Sequence, residues 1–234
     1  MLVHGAGNTS LVWRSVQANL RHASLAVDLP GRRDRPADLA EVTIDAAARS
    51  AAADVAAATS GNVVLVGHSA AGIVLPALAA RLDGRVEHLV FVAGLSAPEG
   101  GTVADTVLPA RRVESAARLA ELREQYRGHM LAPDPAVDGM VAIDDARVAM
   151  PIESINYMSQ TVSWAGVSAD LGRTFVRPLR DRIQSRAMQA ELIENCAASS
   201  VIDIDCGHNA ARDAPVELAA ILDRVVDMIT IAPR

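Results

Sequence analysis

Lysine is absent: all 22 basic residues of this 234-residue chain are arginine. Schiff-base chemistry, a phosphate-loop lysine and a lysine general base are thereby excluded. Aromatic residues are scarce at 3 %, which beside the many alanines and arginines reads as GC-rich coding. The two cysteines, Cys196 and Cys206, make neither a disulfide framework nor a metal-ligand spacing. No apolar run approaches the roughly 20 residues that span a bilayer. Positive charge is outweighed, 22 bases against 28 acids, for a net charge of −6. Such a chain does not attract nucleic acid or an anionic membrane surface by its field. The opening Met1-Leu2-Val3-His4-Gly5 has no basic n-region and no apolar h-region. The expected location is the cytoplasm.

What the chain has is core. Hydrophobic residues make up 50 % and charged residues 21 %, a globular composition. A chain of this length buries roughly 70–75 % of its unfolded surface, which suits a single domain. Short apolar runs alternate with amphipathic stretches. Strands are expected at Leu2 to His4, Ser24 to Asp28, Asn62 to Val66, Val86 to Ala93, Arg173 to Arg177 and Val201 to Asp205. Helices are expected at Leu11 to His22, Ala37 to Thr59, Ala70 to Leu82, Ile183 to Ala197 and Val216 to Ile229. This alternation argues for a doubly wound, mostly parallel α/β sheet. The stretch of about 105–165 breaks the pattern with four prolines and helical patches such as Val113 to Tyr126. It reads as a helical cap or lid insertion.

Three motifs carry chemistry. In Val63-Val64-Leu65-Val66-Gly67-His68-Ser69-Ala70-Ala71-Gly72, an apolar strand enters a tight turn and a helix follows. This is the context of a G-x-S-x-G nucleophile elbow. A serine in a strained turn needs small neighbours two residues away. Gly67 meets that need, and Ala71 stands where glycine is usual. His4-Gly5-Ala6-Gly7 is a second turn, free of side chains that would block a backbone N–H. The N–H groups of Ala6 and Ala70 are the candidate donors to a tetrahedral oxyanion. Asp205-Cys206-Gly207-His208-Asn209 follows the last strand, where α/β sheets carry site residues, so His208 is the candidate base. Among the other histidines, His22 and His88 are expected to be solvated. His129 falls in the insertion, and His4 and His68 are expected to pack or bond locally. In chain order the acid precedes the histidine, leaving Asp170, Asp181, Asp203 and Asp205. Asp203 and Asp205 lie on the strand leading into His208, poorly aimed at it. Asp181 lies in Pro178-Leu179-Arg180-Asp181-Arg182, one helix and one strand before His208, and is the candidate.

Together these residues resemble the α/β-hydrolase superfamily over essentially the whole chain. The His4-Gly5-Ala6 turn, the Gly67-His68-Ser69 elbow and the Arg180-Asp181-Arg182 loop resemble its small-esterase and hydroxynitrile-lyase branch, with plant methylesterases and bacterial pyrethroid-hydrolase-like proteins. The resemblance implies a six-stranded sheet that begins at the strand bearing the His-Gly turn. Cyanogenic lyases of the branch carry lysine where Asn209 stands, so cyanohydrin cleavage is not expected.

The expected activity is hydrolysis of a carboxylic ester of a small or medium apolar substrate, with no cofactor and no metal. Ser69 is the expected nucleophile, His208 the base and Asp181 its orienting acid. His4, Trp13, Tyr157, Met158 and Trp164 are expected to line the substrate site, with Met130, Met140 and Met150 of the insertion. No nucleic-acid or membrane partner is expected, and the chain is expected to be a monomer or homodimer. The rivals are thioester release, cyclisation or acyl transfer by the same serine, and a hydrolase-like ligand receptor.

Overall fold

The computed structural model describes residues 1–33, 35–39, 41–102 and 154–231. The expected patch Val113 to Tyr126, most of the expected cap, His129, Met130, Met140 and Met150 lie outside these residues. Of Met158 only the backbone is described.

Six strands form one sheet: β1 (Leu2–Val3), β2 (Ala26–Val27), β3 (Val63–His68), β4 (Val86–Val92), β5 (Gly172–Pro178) and β6 (Ser200–Ile204). Their spatial order is β2-β1-β3-β4-β5-β6, and every pair is parallel. The helices are α1 (Arg14–Gln17), α2 (Ile44–Ala58), α3 (Leu75–Arg81), α4 (Ile155–Ser159), α5 (Arg186–Asn195), α6 (Ala210–Asp213) and α7 (Pro215–Ile231).

Period-two alternation divides the strand side chains between two cores. Val3, Leu65, Leu89, Phe91 and Phe175 pack with Ile44, Ala48 and Val55 of α2, Leu75 and Leu78 of α3, and Leu192 of α5. Leu2, Val66, Val90, Val92, Val176 and Ile204 pack on the other face with Trp13, Ala210 of α6, and Leu218, Leu222 and Val225 of α7. Strand segments buried on both faces must be apolar, which is why Leu65–Val66 of β3 and Leu89–Val92 of β4 read as apolar runs.

Several helices are shorter than the sequence suggests, each for a local reason. The alanine-rich stretch becomes helical only at Ile44, where the Thr43 hydroxyl accepts the Ala46 N–H at 3.0 Å and caps the helix. The segment after Ser69 is a 3₁₀ turn, Ser69–Ile73, before α3 begins, with Pro76 in the first turn of α3. Proline there has no N–H to return to Gly72, so the α ladder cannot run back into the elbow. The helix expected from Ile183 starts at Arg186, because the Ile183 and Gln184 N–H groups both donate to Asp181. Between Leu11 and His22 the chain forms a 3₁₀ turn (Ser10–Trp13) and the single turn α1.

Candidate active site

Ser69 sits where β3 ends, with a positive φ of 50°. That left-handed conformation costs a non-glycine residue roughly 1–3 kcal/mol and persists only where the surroundings enforce it. Here they do. The Leu95 N–H donates to the Ser69 carbonyl at 2.8 Å, tying the turn to the chain just beyond β4. The clearances are tight. A Cβ on Gly72 would lie 2.2 Å from the Leu95 carbonyl oxygen, and one on Gly67 would lie 3.0 Å from the Leu75 side chain. Ala71 is buried and its single methyl group is accommodated. The strict glycine requirement has therefore moved one residue along, to Gly72.

The loops after β5 and β6 are stitched together. The Leu179 N–H donates to the Ile204 carbonyl and the Arg180 N–H to the Cys206 carbonyl, each at 2.9 Å. This brings Asp181 beside His208. The His208 Nδ1–H donates to Asp181 Oδ2 at 2.7 Å. A carboxylate only accepts, so it fixes the tautomer and leaves Nε2 with a lone pair. The Ser69 hydroxyl lies 2.9 Å from that nitrogen, placed to donate to it. The Asp181 side chain is 1 % exposed and that of His208 13 %. Burial pushes the Asp181 carboxyl upward, but the hydrogen bond and charge of His208, with the Gln184 and Ile183 N–H donors, outweigh it and hold the group below the ordinary carboxylate range. The rejected acids are engaged elsewhere: Asp203 with Arg177 and Asp205 with Arg180.

The His-Gly turn abuts this serine. A Cβ on Gly5 would lie 3.0 Å from Ser69 Cβ and 2.9 Å from His68 Nδ1, so only glycine allows the approach. The Ala6 N–H is without a partner among the described residues. The Ala70 N–H precedes the first hydrogen-bonded turn of the 3₁₀ segment and has no helical acceptor.

The residues expected to line a substrate site separate into different roles. Both ring nitrogens of His4 are used: Nδ1–H donates to the Gly5 carbonyl at 2.9 Å, and Nε2 accepts the Leu29 N–H at 3.2 Å. His4 is a strut between β1 and the loop after β2. Trp13 is fully buried in the α7-side core, its ring edge-on to His68 at 6.5 Å. Tyr157 is buried in the α2-side core. Trp164 donates to the Ala97 carbonyl at 3.0 Å and stacks over the Arg173 guanidinium at 4.5 Å. Arg173 pairs with Leu89, three residues below the Val92–Val176 row level with His68. The Trp164 ring also lies 6.4 Å from that of Phe91, the β4 residue opposite Gly67, so Trp164 braces the chain's return to β5.

Two histidines differ from expectation. His88 is half-buried, bonded to the Thr174 hydroxyl at 2.8 Å, and burial lowers its pKa. His68 bonds far from its own turn, to the His208 carbonyl. Gln184 was not foreseen either. It is buried and donates to the Ala93 carbonyl at 2.7 Å, fastening the Asp181 loop to the end of β4. No spacing rule signals such a brace. Both thiols are pushed up to about 12, by burial first, and are poor nucleophiles. The Arg212 guanidinium, the cation nearest His208 in sequence, pairs with Asp213 at 2.8 Å. Among the described residues, no group of three or more His, Cys, Asp or Glu could hold a metal ion, and no helix is long and apolar enough to cross a membrane.

Similarity to characterised proteins extends along the whole chain. It is 28 % identical over 238 aligned residues to lipase LipV of Mycobacterium tuberculosis, covering 95 % of this chain and 90 % of that one. It is 28 % identical over 236 aligned residues to the carbendazim hydrolyzing esterase of a Nocardioides species, covering 94 % and 96 %. The solved structure of an extracellular α/β-hydrolase from a Paenibacillus species superposes with a TM-score of 0.81 at 16 % identity, covering 95 % of this chain and 96 % of that one. The same fold thus persists where sequence identity is low. A parallel six-stranded sheet, a serine elbow after its third strand and a match of residues 1–221 to the alpha/beta hydrolase family model agree, and the chain belongs to that family.

Proposed function

We propose that the protein is a serine hydrolase that cleaves a carboxylic ester of a small or medium apolar substrate through an acyl-enzyme. The observation that carries this reading is the continuous hydrogen-bonded line from Asp181 through His208 to Ser69. Ser69 Oγ attacks the ester carbonyl carbon while His208 Nε2 takes the hydroxyl proton. Negative charge collects on the former carbonyl oxygen, where the Ala6 and Ala70 N–H groups donate to it. The bond to the alkoxy oxygen then breaks, and His208 passes its proton to the departing alcohol. Water attacks the acyl carbon, yields a proton to Nε2 and releases the acid and free Ser69. Asp181 holds the imidazole tautomer and stabilises the imidazolium throughout. Relatives named as a lipase and as an esterase support ester bonds as the target.

The test is active-site labelling beside turnover. A fluorophosphonate probe is expected to modify Ser69 alone, and Ser69→Ala is expected to lose both labelling and hydrolysis of aryl and alkyl esters while keeping its unfolding midpoint. Labelling at another residue, or retained turnover in Ser69→Ala, overturns the serine mechanism. Labelling without measurable ester turnover would favour acyl transfer or a receptor role.

A further inference from the structure

Two hydrogen bonds converge on the short segment that follows β4. The Leu95 N–H donates to the Ser69 carbonyl at 2.8 Å. The Gln184 side chain donates its Nε2–H to the Ala93 carbonyl at 2.7 Å. Ala93, Gly94 and Leu95 therefore bear on the elbow at one end and on the Asp181 loop at the other. The segment is held firmly. The Ala93 N–H donates to the Val176 carbonyl of β5 at 3.0 Å, and Ala93 then turns with a positive φ of 46°. Such a turn in a non-glycine residue persists only where the surroundings enforce it. A Cβ on Gly94 would press on Phe91, and one on Gly72 would meet the backbone of Gly94 and Leu95.

Gln184 reaches this segment and the acid at once. Its main-chain N–H donates to Asp181 Oδ1 at 2.9 Å, beside the Ile183 N–H at 2.8 Å. Asp181 Oδ2 accepts the His208 Nδ1–H. One carboxylate oxygen is thus fixed by the loop, and the other is left for the imidazole. The Leu179 and Arg180 N–H groups tie the loop to the chain at the end of β6, and the Gln184 amide ties it to the end of β4. The second tie stops rotation about the first. Gln184 and Ala93 are both buried, so water does not compete for the bond between them.

Resting on the reading of Ser69, His208 and Asp181 as nucleophile, base and acid, we propose that Gln184 is a positioning residue for ester hydrolysis, holding the Asp181 carboxylate in register with Ser69 through Ala93, Gly94 and Leu95. Its hydrogen bonds go to Asp181 and Ala93, and its effect on the reaction passes through Asp181. The loss of Gln184 is therefore bounded by the loss of Asp181 itself. Gln189 is the contrast. It is also buried, and its amide also donates to a main-chain oxygen, but its partners are Pro178 at 3.0 Å and Ser185 at 2.8 Å.

The experiment is a double-mutant cycle read on one aryl ester. Gln184→Met keeps nearly the same volume and removes the donor. It is expected to lower kcat roughly 10–100-fold while KM stays within about twofold, as misplacement of a reacting group does. Gln189→Met also loses a buried bond; it is expected to lower Tm to a similar extent but to leave kcat within about twofold. In an Asp181→Asn background, Gln184→Met is expected to lower kcat by less than about threefold more, because the route to His208 is already cut. A fully multiplicative loss in the double variant overturns the proposal. So does equal loss of kcat in Gln184→Met and Gln189→Met, or full kcat in a folded Gln184→Met. Gln184→Asn, whose amide is one methylene short of Ala93, gives the same comparison where Gln184→Met does not fold. Failure of both Gln184 variants to fold would mark the residue as structural and overturn its positioning role. Unchanged kcat in Asp181→Asn alone, or turnover retained in Ser69→Ala, is a different result and overturns the serine mechanism itself.

Discussion

The His68 ring donates its Nε2–H to the main-chain oxygen of His208, 3.1 Å away and 140 residues later in the chain. Burial pushes the His68 pKa down to about 3, so the ring is neutral and the carbonyl selects its tautomer. The residue beside the proposed nucleophile thus holds the backbone of the proposed base.

His68→Phe keeps a ring but removes this donor. The expected result is a fall in kcat of roughly 10–100-fold with KM little changed, as a small misplacement of a reacting group produces. His68→Gln, which can still donate, is expected to recover part of the loss. Steady-state kinetics on one aryl ester measure both. Equal loss in both variants would point to packing alone.

Asp181→Asn is expected to lower kcat on the order of 10³–10⁴-fold, because an amide in that place no longer fixes the tautomer that leaves Nε2 free. Asp203→Asn and Asp205→Asn are expected to change it little, since each carboxylate is paired with an arginine near the surface. A damaging Asp205→Asn would overturn the assignment.

Gly72→Ala is expected to cost about 3 kcal/mol or more, as overpacking against backbone does. The added carbon would meet the Leu95 carbonyl oxygen at 2.2 Å, and Leu95 also holds the Ser69 turn. Ala71→Gly is expected to be mild by comparison. Urea unfolding of the two variants gives the difference, and a tolerated Gly72→Ala would mean the elbow shifts freely.

Acid is expected to unfold the protein readily. Burial lowers His4 to about 4 and His68 to about 3, against 6.5 for an exposed histidine. Above pH 6.5 both states hold these rings neutral and nothing is gained or lost. Below it the unfolded chain binds two protons that the folded chain refuses. Stability then falls by about 2.7 kcal/mol per pH unit until the folded-state values are reached. The buried Met1 amine acts in the same direction between pH 8.0 and about 5. Urea midpoints at pH 8, 6.5 and 5 are expected to decline progressively, most steeply below 6.5, and a flat profile would contradict the burial of these groups.

The sheet and the meeting of Ser69, His208 and Asp181 were legible because they depend on local grammar. Apolar runs buried on both faces stay apolar, a serine elbow needs small neighbours, and the interval from Asp181 to His208 holds one helix and one strand. Helix starts were less legible. Alanine favours helix from Ala37 onward, yet the Thr43 cap sets the boundary, and Asp181 takes N–H groups that composition alone would assign to a helix. The brace that Trp164 forms is not legible, because aromatic residues look the same in a pocket lining and in a brace. Its stacking partner, Arg173, is visible only once strand register is known. His68 was read as local because sequence distance carries no hint of a bond to a carbonyl on a different strand's loop.

The burial of both thiols has a consequence for handling the protein. Cys196 and Cys206 are buried, and each is held protonated at ordinary pH. Maleimide and iodoacetamide therefore react slowly with the folded protein, because the thiolate is the reacting form. Their reaction becomes a sensitive reporter of opening around β6.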